Sequence, residues 1–209
     1  MRSWSQEGED QILRRLFEQQ STGFYVDVGA HHPKRFSNTY LFYRRGWSGI
    51  NIDAMPGSMQ SFRAIRPRDI NLELGVGLDA SEKEYYIFNE PALNGFSKQL
   101  SMERESSYGI YKIIDVKKIK VEPLERILDS NLKYGQIIDF LSVDVEGLDF
   151  EVLKSNNWCK YRPQYVLVEI LRSSLQDVVQ NEISRFMLGH GYEVYAKCVN
   201  TVFFKRIII

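Results

Sequence analysis

The chain has 209 residues, of which 44% are hydrophobic and 26% charged, a mixture typical of a globular protein and not of a disordered one. Its 27 basic and 27 acidic residues give a formal net charge of zero. This balance argues against a nucleic-acid partner, because such proteins usually carry a basic excess. The length predicts one domain spanning residues 1–209.

The cysteines and the chain start indicate the compartment. Cys159 and Cys198 lie far apart, without the spacing of a disulfide framework or a zinc site, which is typical of reduced thiols. The first ten residues contain no apolar segment of the kind found in signal peptides, and no apolar run approaches the ~20 residues that span a bilayer. We therefore expect a cytoplasmic protein without a membrane span, and nothing in the pattern indicates its oligomeric state.

In the first half of the chain, the hydrophobic periodicity alternates between helix and strand patterns. It predicts helices over 5–20, from Ser37 to Arg45, and from Pro56 to Pro67, and strands over 24–30, 47–54, 70–76 and 83–88. Ser37 is the expected N-cap of the second helix, and Gly46 ends it. Residues 90–115 lack clear periodicity, which predicts an irregular insertion or a lid.

The second half repeats the alternation. It predicts strands over 119–122, 140–144, 165–171, 192–199 and 202–207, with helices over 124–128, 150–155 and 174–188. In the last helix we expect five apolar side chains to face inward: Leu175, Val178, Val179, Ile183 and Phe186. The alternation predicts an α/β fold with a mostly parallel sheet covered by helices on both faces. The short link at Asn200-Thr201 predicts a C-terminal antiparallel hairpin.

Acidic residues follow the predicted parallel strands at their carboxyl ends, where open α/β sheets bind ligands. These residues are Asp27, Asp53, Asp144 and Glu169. One acid in such a position is most often only a helix cap, but four together favour a nucleotide-like ligand. Asp53 follows the Gly29 turn by about 20 residues, as do the acids that bind ribose hydroxyls in nucleotide-binding folds.

The turn after the first strand disfavours a dinucleotide cofactor. Gly29 is followed by Ala30-His31-His32-Pro33, so the glycine pattern that holds a pyrophosphate is absent. The phosphate-binding pattern GxxxxGK[ST] is absent as well. These absences count against an NAD-dependent oxidoreductase, which stays the first alternative on a similar sheet.

Four blocks of this sequence resemble the FkbM-type methyltransferases. They are Ser5 to Asp10, Val26 to Ala30, Gly46 to Asp53, and Leu141 to Gly147. The resemblance implies a class I methyltransferase (Rossmann-like) fold with seven strands, S-adenosylmethionine as methyl donor, and transfer to a hydroxyl of a sugar or secondary metabolite. His31 departs from the family, which commonly has Asn at that position.

The resemblance and the strand ends together assign the cofactor site. We expect Asp53 to accept the ribose hydroxyls, Asp27 to orient the turn or receive the ammonium group, and the helix start at Ser37-Asn38 to bind the methionine carboxylate. The Gln6 segment should pack over the cofactor mouth. The complete predicted set is Gln6, Asp27, Gly29, Ala30, Ser37, Asn38, Asp53, Ala54 and Asp144.

Transfer to a hydroxyl requires that its proton be removed. The candidate bases are Asp144, Glu146, His32 and His31. The histidines have a simpler interpretation as a loop pair that only packs, and Glu146 as a first-turn helix acid.

Asp144 and Glu169 are also the candidate ligands of a Mg²⁺ ion that would polarise the hydroxyl. Ile170 stands where metal-assisted enzymes usually supply a further polar ligand, so we expect no metal dependence. A methyltransferase-like binding module without activity is the second alternative, and intact Gly29, Asp53 and Asp144 argue against it.

Overall fold

The computed structural model describes residues 2–208 and contains a seven-stranded sheet in the order β3-β2-β1-β7-β8-β10-β9. The strands are β1 Phe24–Val28, β2 Ser48–Asp53, β3 Ile70–Glu73, β7 Phe140–Val143, β8 Tyr165–Glu169, β9 Tyr192–Lys197 and β10 Thr201–Arg206. The first five pair in parallel, and β10 is antiparallel to both β8 and β9. This confirms the class I methyltransferase architecture with its C-terminal antiparallel hairpin.

Eight helices accompany the strands within the described residues. They are α1 Glu9–Leu16, α2 Tyr40–Arg44, α3 Ser58–Ile65, α4 Lys98–Tyr108, α5 Leu124–Asn131, α6 Asp149–Lys154, α7 Leu175–Gln180 and α8 Glu182–Gly189. None of these helices combines the length and hydrophobicity needed to cross a bilayer.

The sheet is buried on both faces because its strands are apolar at successive positions. In β1, Val26 and Val28 belong to one core cluster, together with residues of α5, α6 and α8. Tyr25 points to the opposite face and joins a second cluster that includes Leu13 of α1 and Phe42 of α2. Successive side chains of a strand alternate between faces, so apolar side chains on both faces of β1 stabilise helix layers on both sides.

A second, three-stranded sheet was not predicted. The expected strand 70–76 divides at Leu74 into β3 and β4 Gly75–Val76, and β4 pairs with β6 Ile113–Glu122. The expected strand 83–88 is part of β5 Ser81–Phe88, which is antiparallel to β6. This sheet extends one side of the main sheet and places Val76 and Tyr85 beside its carboxyl edge.

The sequence predicted an irregular insertion over residues 90–115, but this segment has regular structure. They contain a short 3₁₀ helix over Pro91–Leu93, helix α4, and the first residues of β6. Most side chains of α4 are exposed, so the helix has no apolar stripe that a periodicity search detects. Its N-terminus is nevertheless encoded, because the Ser97 side chain accepts a hydrogen bond from the Leu100 N–H.

The helix predicted over 174–188 is two helices. Asn181 has extended backbone angles, and its side chain caps α8 by accepting a hydrogen bond from the Ile183 N–H. The break rotates the apolar positions, so that Val178 and Ile183 are buried while Leu175 and Val179 are exposed. The inward orientation that we expected for Leu175 and Val179 is therefore wrong.

Candidate active site

A cavity of about 580 Å³ lies at the carboxyl ends of β1, β2, β7 and β8, within the size range of pockets that hold small ligands. Nine of the residues predicted from the sequence line it: Gln6, Gly29, His31, His32, Asp53, Ala54, Asp144, Glu146 and Glu169. Four predicted residues do not line it: Asp27, Ala30, Ser37 and Asn38. The position of the cavity follows from the topology of the sheet, since parallel strands end at one edge.

Gly29 joins the two halves of this edge. Its φ of +83° belongs to the left-handed region, and an added Cβ would lie well inside van der Waals contact of the Asp144 carbonyl oxygen. The Asp144 N–H donates to the Val28 carbonyl over 3.0 Å. The glycine is therefore required by the close approach of the β1 and β7 ends, in addition to any approach of a ligand.

Asp53 is a buried acceptor at the end of β2. One carboxylate oxygen accepts the His31 N–H at 2.7 Å and the other accepts the Met55 N–H at 2.8 Å. Burial raises the pKa of Asp53, and these two hydrogen bonds oppose the rise. The Ser58 side chain also lowers the pKa of Asp53 by hydrogen bonding, so at least one of the about four lone-pair sites of the carboxylate stays open to a ligand hydroxyl.

The start of α2 does not form the expected carboxylate-binding site. The helix begins at Tyr40, and the Ser37 hydroxyl already accepts the Tyr40 N–H at 3.1 Å. Asn38 donates to the Ser142 hydroxyl, and Asp27 accepts a hydrogen bond from Thr39 at 2.7 Å. Asp27 is therefore bonded within the chain and does not line the cavity, and the roles expected for it stay predictions.

A buried arginine, not foreseen from the sequence, holds this wall together. Arg66 is fully buried; it pairs with Asp69 at 2.8 Å and donates to the hydroxyls of Tyr25 and Thr39. A buried charge is tolerated only when it is paired and hydrogen-bonded. The only sequence signal is the Arg-Pro-x-Asp spacing after α3, which is also common on surfaces.

Three carboxyl groups meet on the floor of the cavity: Asp144, Glu146 and Glu169. Val143 pairs with Val168, which confirms the expectation that Asp144 and Glu169 end neighbouring strands. Enclosure by the protein, followed by the charge of Glu169, raises the pKa of Asp144 well above its usual range. Burial, followed by the charges of Glu146 and Asp149, raises the pKa of Glu169 to about 8.

One cation contacts this floor. Arg104 of α4 forms an ion pair with Glu146, and its guanidinium also donates to the Leu93 carbonyl. Burial raises the pKa of Glu146, while Arg104 lowers it. Helix α4 therefore contacts a residue of the cavity floor, Glu146, through an arginine that the lack of periodicity concealed.

The loop that carries Glu146 has an unusual backbone. Glu146 has a φ of +55° and Gly147 a φ of +95°, and such angles in a non-glycine residue persist only where surrounding contacts enforce them. Asp149 supplies those contacts, since its carboxylate accepts the N–H groups of Val145 and Gly147.

Asp144 and Glu169 were expected to be the ligands of any metal ion in this cavity. Within residues 2–208, the side chains of His, Cys, Asp and Glu form no group of three or more with the geometry of a metal site. Asp144 and Glu169 do lie in one cavity, so metal dependence stays a prediction.

The two histidines differ in what they can offer. The Nδ1 atom of His32 accepts the N–H groups of Lys34 at 3.0 Å and Arg35 at 2.9 Å. A neutral His32 must then carry its proton on Nε2 and act as a donor, so it is poorly suited to the role of base. His31 stacks on Phe36 with 6.2 Å between ring centroids, and burial followed by the charge of Arg35 lowers its pKa.

The N-terminal segment reaches the cavity through Gln6, as expected. Glu7 anchors it, since its carboxylate accepts the N–H and the side-chain amide of Asn200 at 2.8 and 2.9 Å. An added Cβ at Gly8 would meet nothing within 4 Å, whereas its φ is +90°. Gly8 is therefore required by the turn before α1.

Comparison with known proteins gave one family. The model of the methyltransferase FkbM domain matches residues 27–194. No curated protein sequence matches the chain.

Two solved structures are similar in outline. A "putative RNA methyltransferase" from Pyrococcus horikoshii has 10% identity and a TM-score of 0.49, covering 97% of this chain and 84% of that one. A "putative O-methyltransferase" from Klebsiella pneumoniae has 11% identity and a TM-score of 0.46, covering 98% and 81%.

Proposed function

The chain belongs to the methyltransferase FkbM domain family, and from that membership we propose that it uses S-adenosylmethionine to methylate a hydroxyl group of a small acceptor, a sugar or another natural product. The observation that carries this proposal is the meeting of Asp144 and Glu169 with Asp53 in one cavity at the carboxyl edge of the sheet. Methyltransferase activity follows from the family; the donor and the hydroxyl acceptor are the proposal.

The donor set of the cavity fits the cofactor. Asp53 keeps at least one lone-pair site open, which suits a hydroxyl of a ribose. Arg104 offsets the charge of Glu146, and a positively charged ligand beside Asp144 and Glu169 would favour their ionised forms. S-adenosylmethionine, when bound, supplies a methyl group on a positively charged sulfur.

The floor also supports proton removal. A base works best when its pKa is near the operating pH, and Glu169 with a pKa of about 8 meets that condition. Because Asp144 and Glu169 influence each other, they titrate as a pair. In the proposed reaction the Asp144–Glu169 pair would take up the proton of the acceptor hydroxyl, while S-adenosylmethionine, when bound, would supply the methyl group.

Exclusion of water and alignment are the remaining tasks of the chain. The segment Pro91–Phe96 and Tyr85 cover one side of the cavity, and Gln6 contacts another. Holding two reactants in line reduces the entropic cost of bringing them together for the reaction. The aromatic and apolar residues of this cover leave room for a hydroxylated acceptor beside the floor.

Calorimetry with S-adenosylmethionine and with NADH separates this proposal from the two alternatives. Binding of S-adenosylmethionine but not NADH, followed by transfer of labelled methyl to a hydroxylated acceptor from a panel, would support it. Binding of NADH instead would favour an oxidoreductase. Tight binding of the donor, with neither transfer to any acceptor nor slow hydrolysis, would favour a binding module.

A further inference from the structure

A positively charged surface adjoins the acidic cavity. It consists of Arg2, Lys34, Arg35 and Arg44, and we refer to these four residues as the basic rim. Within residues 2–208, no carboxylate lies within 4.0 Å of the charged groups of Arg2, Lys34 or Arg44. Arg35 has a partner, Glu90, but at 3.7 Å and with both side chains more than one-third exposed, and such pairs contribute little.

Aromatic rings hold the rim cations in place. The guanidinium of Arg35 lies 4.4 Å from the centre of the Phe36 ring, and that of Arg2 lies 4.1 Å from the Trp4 ring. Stacking on a ring face leaves the N–H edge of a guanidinium available for an anion. Because these cations are already ordered, less conformational entropy is lost when an anion binds.

The rim is built from the N-terminal segment, the turn after β1 and the end of α2, where Arg44 lies 5.9 Å from the Trp4 ring. The Trp4 carbonyl accepts the Ser37 N–H at 3.0 Å, and the Trp4 ring packs edge-on against Tyr40 with 4.8 Å between centroids. Lys34 lies 5.9 Å from the same Tyr40 ring. The N-terminal segment and the turn after β1 therefore present their cations on one surface.

This surface is continuous with the cavity. Arg35 and Phe36 of the turn line the cavity together with His31 and His32. One cation of the rim, Arg35, therefore lines the same cavity as the carboxyl groups of the floor.

We propose that the methyl acceptor is a phosphorylated hydroxy compound, whose phosphate group binds the basic rim while its hydroxyl reaches the carboxyl floor. This rests on the proposed function, since it assigns the acceptor of the same site. Phosphate suits the rim because guanidinium groups bind its oxygens through paired hydrogen bonds. On the floor, the cation Arg104 is already paired with Glu146, so the orientation that places the phosphate at the rim is favoured.

His31 and His32, which precede Lys34 and Arg35 of the basic rim in the chain, can report phosphate binding. Burial and the charge of Arg35 lower the pKa of His31, with Glu90 opposing the change. For His32 the causes are burial, then His31, Arg35 and Lys34. A phosphate bound at the rim adds negative charge nearby, so it must raise the pKa of both rings. His190, the third histidine of the chain, bonds to the Phe186 carbonyl and serves as an internal control.

The experiment is an NMR titration of the histidine rings with glucose 6-phosphate, and with glucose plus sodium chloride at equal ionic strength. We expect the His31 and His32 pKa values to rise only with the phosphate ester, and the His190 signals to stay in place. Equal effects of glucose and its phosphate would overturn the inference. Acetate as effective as the phosphate ester would also overturn it, because the rim would then select charge and not phosphate.

Variants locate the site. Lys34→Gln and Arg35→Gln should each weaken binding of glucose 6-phosphate about tenfold, as expected for loss of about 1.4 kcal/mol from a charged hydrogen bond. Arg63→Gln on the exposed face of α3 removes the same charge away from the cavity and should have no effect; an equal loss there would contradict the assignment. Calorimetry with S-adenosylmethionine on each variant is the separate test, because its failure concerns the proposed function and not the rim.

Discussion

The backbone N–H of His31 donates to the carboxylate of Asp53 over 2.7 Å, so the turn after β1 and the end of β2 are joined by the residue expected to bind ribose. Both residues line the cavity. Any change at Asp53 therefore affects the ligand and also the turn that carries the two histidines.

Asp53→Ala should weaken binding of S-adenosylmethionine by about 1–3 kcal/mol, the cost of losing hydrogen bonds to a charged group. Asp53→Asn keeps one acceptor oxygen and should lose less. Calorimetry measures both affinities, and circular dichroism checks that the fold is kept. An unchanged affinity in folded Asp53→Ala would remove Asp53 from the site.

Asp144→Asn should reduce kcat by about 10²–10⁴-fold, the usual contribution of a general base, while the affinity for S-adenosylmethionine is largely kept. The substitution keeps the shape of the side chain and removes its charge from the Asp144–Glu169 pair. A loss of less than about tenfold would exclude Asp144 as the base.

Chelation tests the metal prediction on the wild-type protein. We expect EDTA to leave turnover unchanged, because Ile170 follows Glu169 where a further ligand would be needed. Loss of turnover with EDTA and its return with Mg²⁺ would instead make Asp144 and Glu169 a metal pair. The measurement is the rate of methyl transfer with and without each addition.

Glu169 should make the fold less stable as the pH rises. Its pKa in the folded chain is about 8, against 4.5 for an unperturbed glutamate, so the folded state holds a proton that the unfolded state has lost. Stability must therefore fall as the pH rises through this window. Glu169→Gln should raise the Tm more at pH 8 than at pH 5, by about 2–4 °C for each kcal/mol recovered. Equal shifts at both pH values would contradict the raised pKa.

His32→Asn should keep kcat within about tenfold of wild type and leave the pH–rate profile in place, since a general base would contribute more. The reason is that the Asn oxygen can replace His32 Nδ1 as acceptor for the N–H groups of Lys34 and Arg35. His31→Asn is the matched control at the neighbouring ring. A shifted profile for His32→Asn alone would restore His32 as a candidate base.

The parts of the fold that were predictable are those with a strong local signal. The buried strands and the C-terminal hairpin follow from hydrophobic runs and a short link, and the adjacency of Asp144 and Glu169 follows from parallel strand order. The second sheet was not predictable, because the pairing of β4 with β6 joins segments more than 40 residues apart. Helix α4 was missed because an exposed helix lacks an apolar stripe.

Site residues at strand ends were predicted from the sequence, whereas residues that other elements contribute to the site were missed. Asp53 and Asp144 follow from their strands, whereas Arg104 reaches the floor from α4. Ser37 was assigned to a ligand because it precedes a helix, but its hydroxyl serves its own backbone. A sequence shows that an acceptor is present, and the packing decides which donor occupies it.

The contact between Gly29 and the Asp144 carbonyl has a consequence for how this enzyme can change. The spacing between the turn after β1 and the carboxyl floor is fixed by two backbones in direct contact, and not by side chains that can be exchanged. Substitutions in the core can therefore alter stability without moving these two parts relative to each other. We expect changes in acceptor preference to arise instead at the periphery, in the segment before α4, where a new side chain does not meet this backbone contact.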